Sequence, residues 1–263
     1  MKAIFVTGNH LRHYYLVKEF AKFFSNFEWI VEKREMNINH KFLLKKSLIY
    51  KKHINNFKKK EKEYFFDAEN FFKKQKKKIT FLDREKIDNK KFNSKIFQRI
   101  KKYKPKILFS YGCQKINVEK IKKKIRLFNV HGGIIPKYRG VNTNFWPHKN
   151  SESNYVGLTL HDTNSKLDSG DIFFQTAANI SKSNETVNSL SCKAVRNFCK
   201  EVPPKIYSLI TKDFKACGIR YKPNEKIYKR KDFSPSEIKL VYKKFNLFKK
   251  KKNIKKPKLL NLF

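Results

Sequence analysis

The chain opens with a short apolar run, Ala3–Thr7, closed by Gly8 and Asn9. That run constrains the fold more than any other local feature. A handful of consecutive apolar residues ended by a turn signal reads as a strand buried on both faces. Helical spacing follows over 11–24, through Leu11, Tyr14, Tyr15, Phe20, Phe23 and Phe24, and Phe27–Glu32 reads as a second strand. A strand, a helix and a strand in so short a span imply two parallel strands joined by a right-handed crossover. Gly8 stands alone after the first strand, with no Gly-x-Gly-x-x-Gly, so a dinucleotide fingerprint is absent.

The rest of the chain extends this pattern, with one interruption. Residues 40–78 hold Lys-rich clusters interleaved with Phe42, Leu43, Leu44, Tyr64, Phe65, Phe66, Phe71 and Phe72. They read as one or two amphipathic helices inserted in, or packed on, a sheet domain, with the aromatics in the core and the lysines solvated. Strands are expected at 79–82, 106–110, 127–130, 156–161 and 172–175. Helices are expected at 92–103, stopped by Pro105, at 117–124, and at 186–209 with a kink or break at Pro203-Pro204. Ser234-Pro235-Ser236-Glu237 predicts a capping box that starts a helix to about 246. The expected fold class is α/β: a Rossmann-like, mostly parallel sheet flanked by helices, with a Lys-rich helical insertion and a short C-terminal extension. The expected division is a catalytic domain over 1–208, with the insertion at about 40–78, and an extension over 209–263 with one helix and a basic tail. Seven lysines in 249–258 without periodicity predict a frayed, dispensable end.

The formal net charge is +41, from 63 basic and 22 acidic residues. Such a balance ordinarily points to nucleic acid or an anionic surface. Here only nine of the basic residues are Arg, whereas phosphate recognition favours the planar fork of that side chain. The lysines accompany many Asn, Ile and Phe and only seven Ala. Lys, Asn, Ile and Phe have A/T-rich codons, so genome composition accounts for the charge better than a dedicated polyanion site. A basic surface still aids capture of an anionic substrate. The chain has 263 residues, 40% of them hydrophobic, enough for one full core and a small appendage. Cys113, Cys192, Cys199 and Cys217 form no Cys-x-x-Cys pair, and no His cluster has metal-ligand spacing, so no metal is expected. Free thiols fit a reducing cytoplasm. The first apolar run is too short for a signal peptide. No apolar run approaches the roughly 18 residues of a membrane span.

The chemistry concentrates in residues 129–171. They read Asn129-Val130-His131-Gly132-Gly133, then Pro136-Lys137-Tyr138-Arg139-Gly140, then Leu167-Asp168-Ser169-Gly170-Asp171. If Asn129 and His131 end a strand, period-2 geometry points both side chains to one face. Asn129 can then polarise a carbonyl while His131 moves a proton. Taken singly, Asn129 reads as a turn cap and His131 as a structural histidine; the joint pattern favours catalysis. Gly8, Tyr111-Gly112 and Asn129–His131 all fall at expected strand ends, where ligand crevices of such sheets lie. Ser110 and Cys113 sit in no Gly-x-Ser-x-Gly elbow, which argues against a Ser or Cys nucleophile.

This pattern resembles the folate-dependent formyltransferase family, most strongly over about 105–180. That family carries Asn-x-His, a Pro-x-Tyr-Arg-Gly-type loop and a downstream Leu-Asp-x-Gly. Many members have Pro after the His, where this chain has Gly132-Gly133. The resemblance implies that Asn129, His131 and Asp168 are catalytic and that 10-formyltetrahydrofolate is the formyl donor. It implies a pterin held near Tyr111, Gly112 and Gln114, with the loop around Asp162 closing the other side. Gly8, Asn9, Arg12, Tyr138 and Arg139 are the expected substrate contacts, Arg12 with His13 being suited to a phosphate or sugar hydroxyl. In formyl transfer an amine attacks the formyl carbon, an oxyanion develops and a proton leaves the nitrogen. His131 fits either as the base or, in its charged form, as an oxyanion donor, and Asp168 either orients it or takes the proton through water.

Three acceptor classes compete by resemblance. Methionyl-tRNA formyltransferases usually carry a C-terminal β-barrel of roughly a hundred residues, and only about 55 are expected here after the catalytic domain. Glycinamide ribonucleotide formyltransferases open with a Gly/Ser-rich phosphate loop that Thr7–His13 does not match. A nucleotide-linked amino sugar is therefore the expected acceptor, with methionyl-tRNA as the alternative. A different class of protein, a non-catalytic nucleic-acid binder on the same scaffold, requires lysines on one continuous face lined with stacking aromatics. The intact Asn129, His131 and Asp168 argue against it.

Overall fold

The apolar run becomes β1 (Ala3–Gly8), and every one of its six residues is buried. The computed structural model describes residues 1–34, 45–119, 121, 125–180, 185–222, 226–251 and 253–262. Seven strands form one sheet in the order β3-β2-β1-β4-β5-β7-β8. Its further members are β2 (Phe27–Lys33), β3 (Ile79–Asp83), β4 (Ile107–Tyr111), β5 (Arg126–His131), β7 (Gly157–Asp162) and β8 (Ile172–Ala177). The pairs among β1 to β5 are parallel, and β7 and β8 add on antiparallel. Both faces of β1 are covered, which is why its sequence is apolar throughout rather than alternating. Ala3 and Phe5 enter one core with Phe20, Phe109 and Phe198, and Ile4 and Val6 enter a second core with Phe92, Ile96 and Leu108.

The helices supply those two layers: α1 (Leu11–Phe20), α2 (Leu48–Tyr64), α3 (Ala68–Lys74), α4 (Asn89–Tyr103), the short α5 (Trp146–Lys149), α6 (Val187–Lys212) and α7 (Pro235–Lys249). Ser47, Asp88, Thr186 and Ser234 cap their helices by accepting from Tyr50, Lys91, Ser189 and Glu237 N–H groups. The expected reciprocal bond from Glu237 is replaced by an ion pair with Lys149 at 2.8 Å. The break expected at Pro203-Pro204 is absent, since α6 continues through both prolines to Lys212. The proposed boundary at 208/209 therefore falls inside a helix. In 117–124, residues 117–119 and 121 form no helix: Ile116, Val118 and Ile121 pack into the second core, and the Asn93 carboxamide accepts from Asn117 N–H at 2.6 Å. The rest of that stretch lies outside the described residues.

Helices α2 and α3 occupy the Lys-rich stretch. Phe65 is fully buried, Phe71 and Phe72 pack against the first core, and Phe72 stacks on Tyr14 at 4.0 Å. Phe66 is exposed; Phe42, Leu43 and Leu44 lie outside the described residues. Apart from Phe66, the described rings of this stretch are buried or half-buried while its lysines are mostly exposed, as an amphipathic helix on a sheet domain requires. The segment after α6 returns to the sheet domain. Its β9 (Ile227–Tyr228) pairs with β6 (Arg139–Gly140), and residues 260–262 lie along the outer edge of β8. The tail expected to fray is tied down there, because Leu262 N–H finds the Phe173 carbonyl and Asn261 finds Gln175 N–H.

Helix α2 is fastened to α1 by Arg12 and the buried Glu61. Removing one partner of a largely desolvated pair leaves the other uncompensated. Glu61→Ala is expected to cost about 1–3 kcal/mol, read from the urea midpoint, and Arg12→Met with Glu61→Leu to recover most of it.

Candidate active site

Strands β4 and β5 end side by side, with Ser110 next to Asn129. Ser110 Oγ donates to Asn129 Oδ1 at 2.9 Å, which turns the amide NH2 toward β7. There Asn129 Nδ2 lies 3.0 Å from His161 Nε2, and His161 Nδ1 lies 2.7 Å from the Asp162 carbonyl. A carbonyl only accepts, so Nδ1 carries the proton and Nε2 accepts from the amide. Burial holds His161 down at about 4, so its ring is neutral. An amide NH2 has two hydrogens; His161 accepts one, which leaves the second available to a ligand oxygen.

Two residues on, His131 points to the same face and is 6% exposed. Its Nδ1 is 3.3 Å from Asp168 Oδ1, and its Nε2 is 2.8 Å from the Tyr138 carbonyl. Both neighbours accept. A neutral imidazole has one N–H and cannot serve both, whereas the imidazolium can. Burial alone pushes the pKa of His131 down, but the charge and hydrogen bond of Asp168, with the Tyr138 carbonyl, outweigh it and the net shift is upward. Burial likewise opposes ionisation of Asp168. The positive His131 overrides it and holds the carboxyl at about 2.

The loop carrying Asp168 is fixed from several sides. Asp168 itself adopts a left-handed backbone at φ +45. Its Oδ2 accepts from Gly140 N–H at 2.9 Å, and its carbonyl accepts from Arg139 Nε at 3.0 Å and the Tyr221 hydroxyl at 2.9 Å. Gly140 has φ +103, and any Cβ there would collide with the Tyr228 backbone of β9, so only glycine fits.

The structure places Asn129, held by Ser110 and His161, two residues from His131, which pairs with Asp168, at the C-terminal end of β5. The other expected contacts fall less evenly. Tyr138 and Arg139 have partners inside the protein: the Tyr138 hydroxyl donates to Glu152 at 2.6 Å, and Arg139 holds the carbonyls of Leu167 and Asp168. Arg12 is turned onto Glu61 and over the Phe57 ring. Tyr111 is buried with its ring edge-on to His13, centroids 4.6 Å apart. A Cβ on Gly8 would lie 2.7 Å from His13 Cε1, and one on Gly112 2.7 Å from Nε2. Gly8 and Gly112 therefore accommodate this buried histidine between the ends of β1 and β4. Asn9 is half-buried in the turn after β1. Gln114 donates its N–H to Glu32 Oε2 at 3.1 Å. Asp162 turns its carboxylate to Arg126, 3.6 Å away, toward the start of β5.

Sequence reasoning passed over Ser110 as a support for Asn129, and over His161 and Tyr221. A signal existed for His161, which ends an alternating strand, but its pairing with Asn129 depends on β5 and β7 being neighbours. Among the described residues no group of three His, Cys, Asp or Glu side chains is placed to hold a metal. No helix among them is long and apolar enough to cross a membrane.

An acid–amide–imidazole constellation at paired strand ends is suited to acyl transfer, and comparison with known proteins agrees. The sequence profile of the formyl transferase family matches residues 49–206, so the chain belongs to that family. It is 40% identical over 90 residues to the bifunctional polymyxin resistance protein ArnA of Wigglesworthia glossinidia brevipalpis. That match takes in 34% of this chain and 14% of ArnA, so the chain spans a small part of that relative's length. A Mycobacterium tuberculosis protein described as a likely sugar N-formyltransferase superposes with a TM-score of 0.55 at 15% identity, over 89% of this chain and 77% of its own. A sugar N-formyltransferase from Shewanella gives 0.55 at 14%, over 93% and 87%. Phosphoribosylglycinamide formyltransferase from Anaplasma phagocytophilum gives 0.53 at 17%, over 87% and 95%. At these identities the likeness is one of fold.

The ion pair sets a pH window. The raised pKa of His131 contributes stability that is complete below its ordinary value of 6.5 and is lost as pH rises through its folded value. The lowered Asp168 contributes stability above its ordinary 3.8, lost as pH falls toward about 2. In Asp168→Asn the imidazole stays buried without its counter-charge, so NMR titration of His131 should move from above 6.5 to below it.

Proposed function

We propose that this chain transfers a formyl group from 10-formyltetrahydrofolate to the amine of a nucleotide-linked amino sugar. The observation that carries the reading is His131 held between Asp168 and the Tyr138 carbonyl, two acceptors that only the imidazolium serves together, beside an Asn129 amide with a hydrogen to give. As the acceptor nitrogen bonds to the formyl carbon, negative charge gathers on the formyl oxygen. Asn129 Nδ2–H donates to that oxygen, and the His131 cation lowers its energy in a low-dielectric site. Of the two roles open to His131, the charged form suits this geometry better than the base, and it acts through its charge because both N–H groups are taken by Asp168 and the Tyr138 carbonyl. The proton leaving the amine passes through water toward Asp168 and returns to the folate nitrogen as the bond from it to the formyl carbon breaks. Ser110 and His161 keep the amide facing the reaction, and Arg139 and Tyr221 keep Asp168 in place.

The acceptor class rests on two supports. ArnA and the sugar N-formyltransferase structures are among the proteins this chain is similar to. The segment after α6 is built into the catalytic domain through β9 and Tyr221 rather than folded as a separate unit for tRNA. The aromatics of α2 and α3 point inward, which also disfavours a stacking platform for nucleic acid.

The test is a panel of acceptors with 10-formyltetrahydrofolate, read as tetrahydrofolate release: nucleotide-linked amino sugars, glycinamide ribonucleotide and methionyl-tRNA. A nucleotide-linked amino sugar is expected to be the best substrate. Turnover exclusively with methionyl-tRNA would overturn the acceptor. His131→Ala should lower turnover roughly 10²- to 10⁴-fold and Asn129→Ala about 10²-fold or more, with donor binding retained.

A further inference from the structure

The His131 ring reaches the Tyr138 carbonyl only if the loop between them holds its shape, and that loop is glycine-rich at its start. Its supports lie on one line across the sheet. His131 of β5 is in register with Thr159 of β7, and Thr159 with Gln175 of β8. Thr159 and Gln175 are both buried, at 0% and 2% exposure. Thr159 Oγ1 donates to the Gly133 carbonyl at 2.7 Å and accepts from Ile135 N–H at 3.3 Å. Gln175 Nε2 donates to the Ile135 carbonyl at 2.6 Å and to Thr159 Oγ1 at 3.1 Å. The Thr159 hydroxyl thus uses its one hydrogen and both acceptor positions. Gln175 Oε1 accepts from Leu260 N–H at 2.8 Å, and Gln175 N–H donates to Asn261 Oδ1 at 2.6 Å. Leu262 N–H donates to the Phe173 carbonyl at 3.1 Å. One row of hydrogen bonds therefore runs from the last residues of the chain, through the edge strand, to the loop beside His131.

We propose that Gln175 is a positioning residue for the transfer reaction, clamped by residues 260–262, which act as a strap on the sheet edge. Its carboxamide is buried with donor and acceptor both engaged, so its orientation is single-valued. Flipping it would set Nε2 against Leu260 N–H and Oε1 against the Ile135 carbonyl, like against like at both ends. Through Ile135 it sets where Tyr138 presents its carbonyl to His131 Nε2. The tolerance is small: a Cβ on Gly133 would lie 2.7 Å from the Tyr138 carbonyl oxygen and 2.9 Å from His131 Nε2. The consequence for catalysis rests on the formyl-transfer reading; the consequence for His131 does not.

The test pairs Gln175→Met, which keeps the volume and removes all three side-chain hydrogen bonds, with truncation after Pro257, which keeps Gln175 and removes the strap. The first readout is NMR titration of His131, its signal assigned by loss in His131→Gln. The Tyr138 carbonyl helps to raise this pKa, so both variants should titrate at lower pH than the parent, Gln175→Met more so. The second readout is turnover, expected to fall roughly 10- to 100-fold in Gln175→Met, as for misplaced catalytic groups, with KM for the folate donor little changed. A merely structural role would lower the folded fraction and leave the titration of folded molecules where it was. An unchanged His131 titration in folded Gln175→Met, or in the truncated chain if that variant does not fold, overturns the proposal. A shifted titration with no transfer to any nucleotide-linked amine would keep the positioning role and sink the acceptor reading.

Discussion

A carboxylate and an imidazole buried together each depend on the other for their charge. Asp168 is ionised because His131 is positive, and His131 is positive because Asp168 is ionised. Much of the architecture around the strand ends serves that pair. Gly140 supplies an N–H to the far carboxylate oxygen. The two-residue pairing of β6 with β9 fixes Gly140, and Arg139 and Tyr221 fix the backbone beneath Asp168. Two of these elements, β9 and Tyr221, come after α6. The later part of the chain thus braces the Asp168 loop through β9 and Tyr221.

Two buried histidines with ring centroids 6.5 Å apart have pKa values shifted in opposite directions, and the difference lies in what each one faces. Burial dominates at His161, whose partners are a neutral amide and a carbonyl, so the ring stays neutral and can accept from Asn129. At His131 a carboxylate within 3.3 Å reverses the balance. The site therefore has one imidazole that orients and one that carries charge. Neither role is available to a histidine by itself; each is set by the strand opposite.

Local pattern carried most of the fold. The apolar run at β1, the start of α1, the cap at Ser234 and the stop before Pro105 are all decided within a few residues, and they appear where the pattern puts them. The motif spacing brought Asn129, His131 and Asp168 into view for the same reason. What escaped depends on long-range pairing. Arg12 looked free for a phosphate because Glu61 lies 49 residues away. That Arg139 braces the Asp168 loop shows only once the chain has crossed the sheet, although the Pro-Lys-Tyr-Arg-Gly context already favours a structural role for Tyr138 and Arg139. The last residues looked frayed because their partner, the open edge of β8, has no local trace in a Lys-rich sequence.

The charge gains meaning once partners are counted in place. Several of the few arginines are engaged inside the protein: Arg12 on Glu61, Arg34 on the fully buried Glu32, Arg99 on Glu28, Arg126 on Asp162 and Arg139 on the Asp168 loop. These are the side chains best shaped to read phosphates in a forked geometry, and the fold has used them to hold elements together. What faces water is largely lysine, a hydrated point charge on a flexible stem. Such a surface attracts anions at long range without fixing them. It therefore suits long-range attraction of anions better than forked recognition of individual phosphates. The fold thus uses its forked cations within its own framework and leaves hydrated point charges to the solvent.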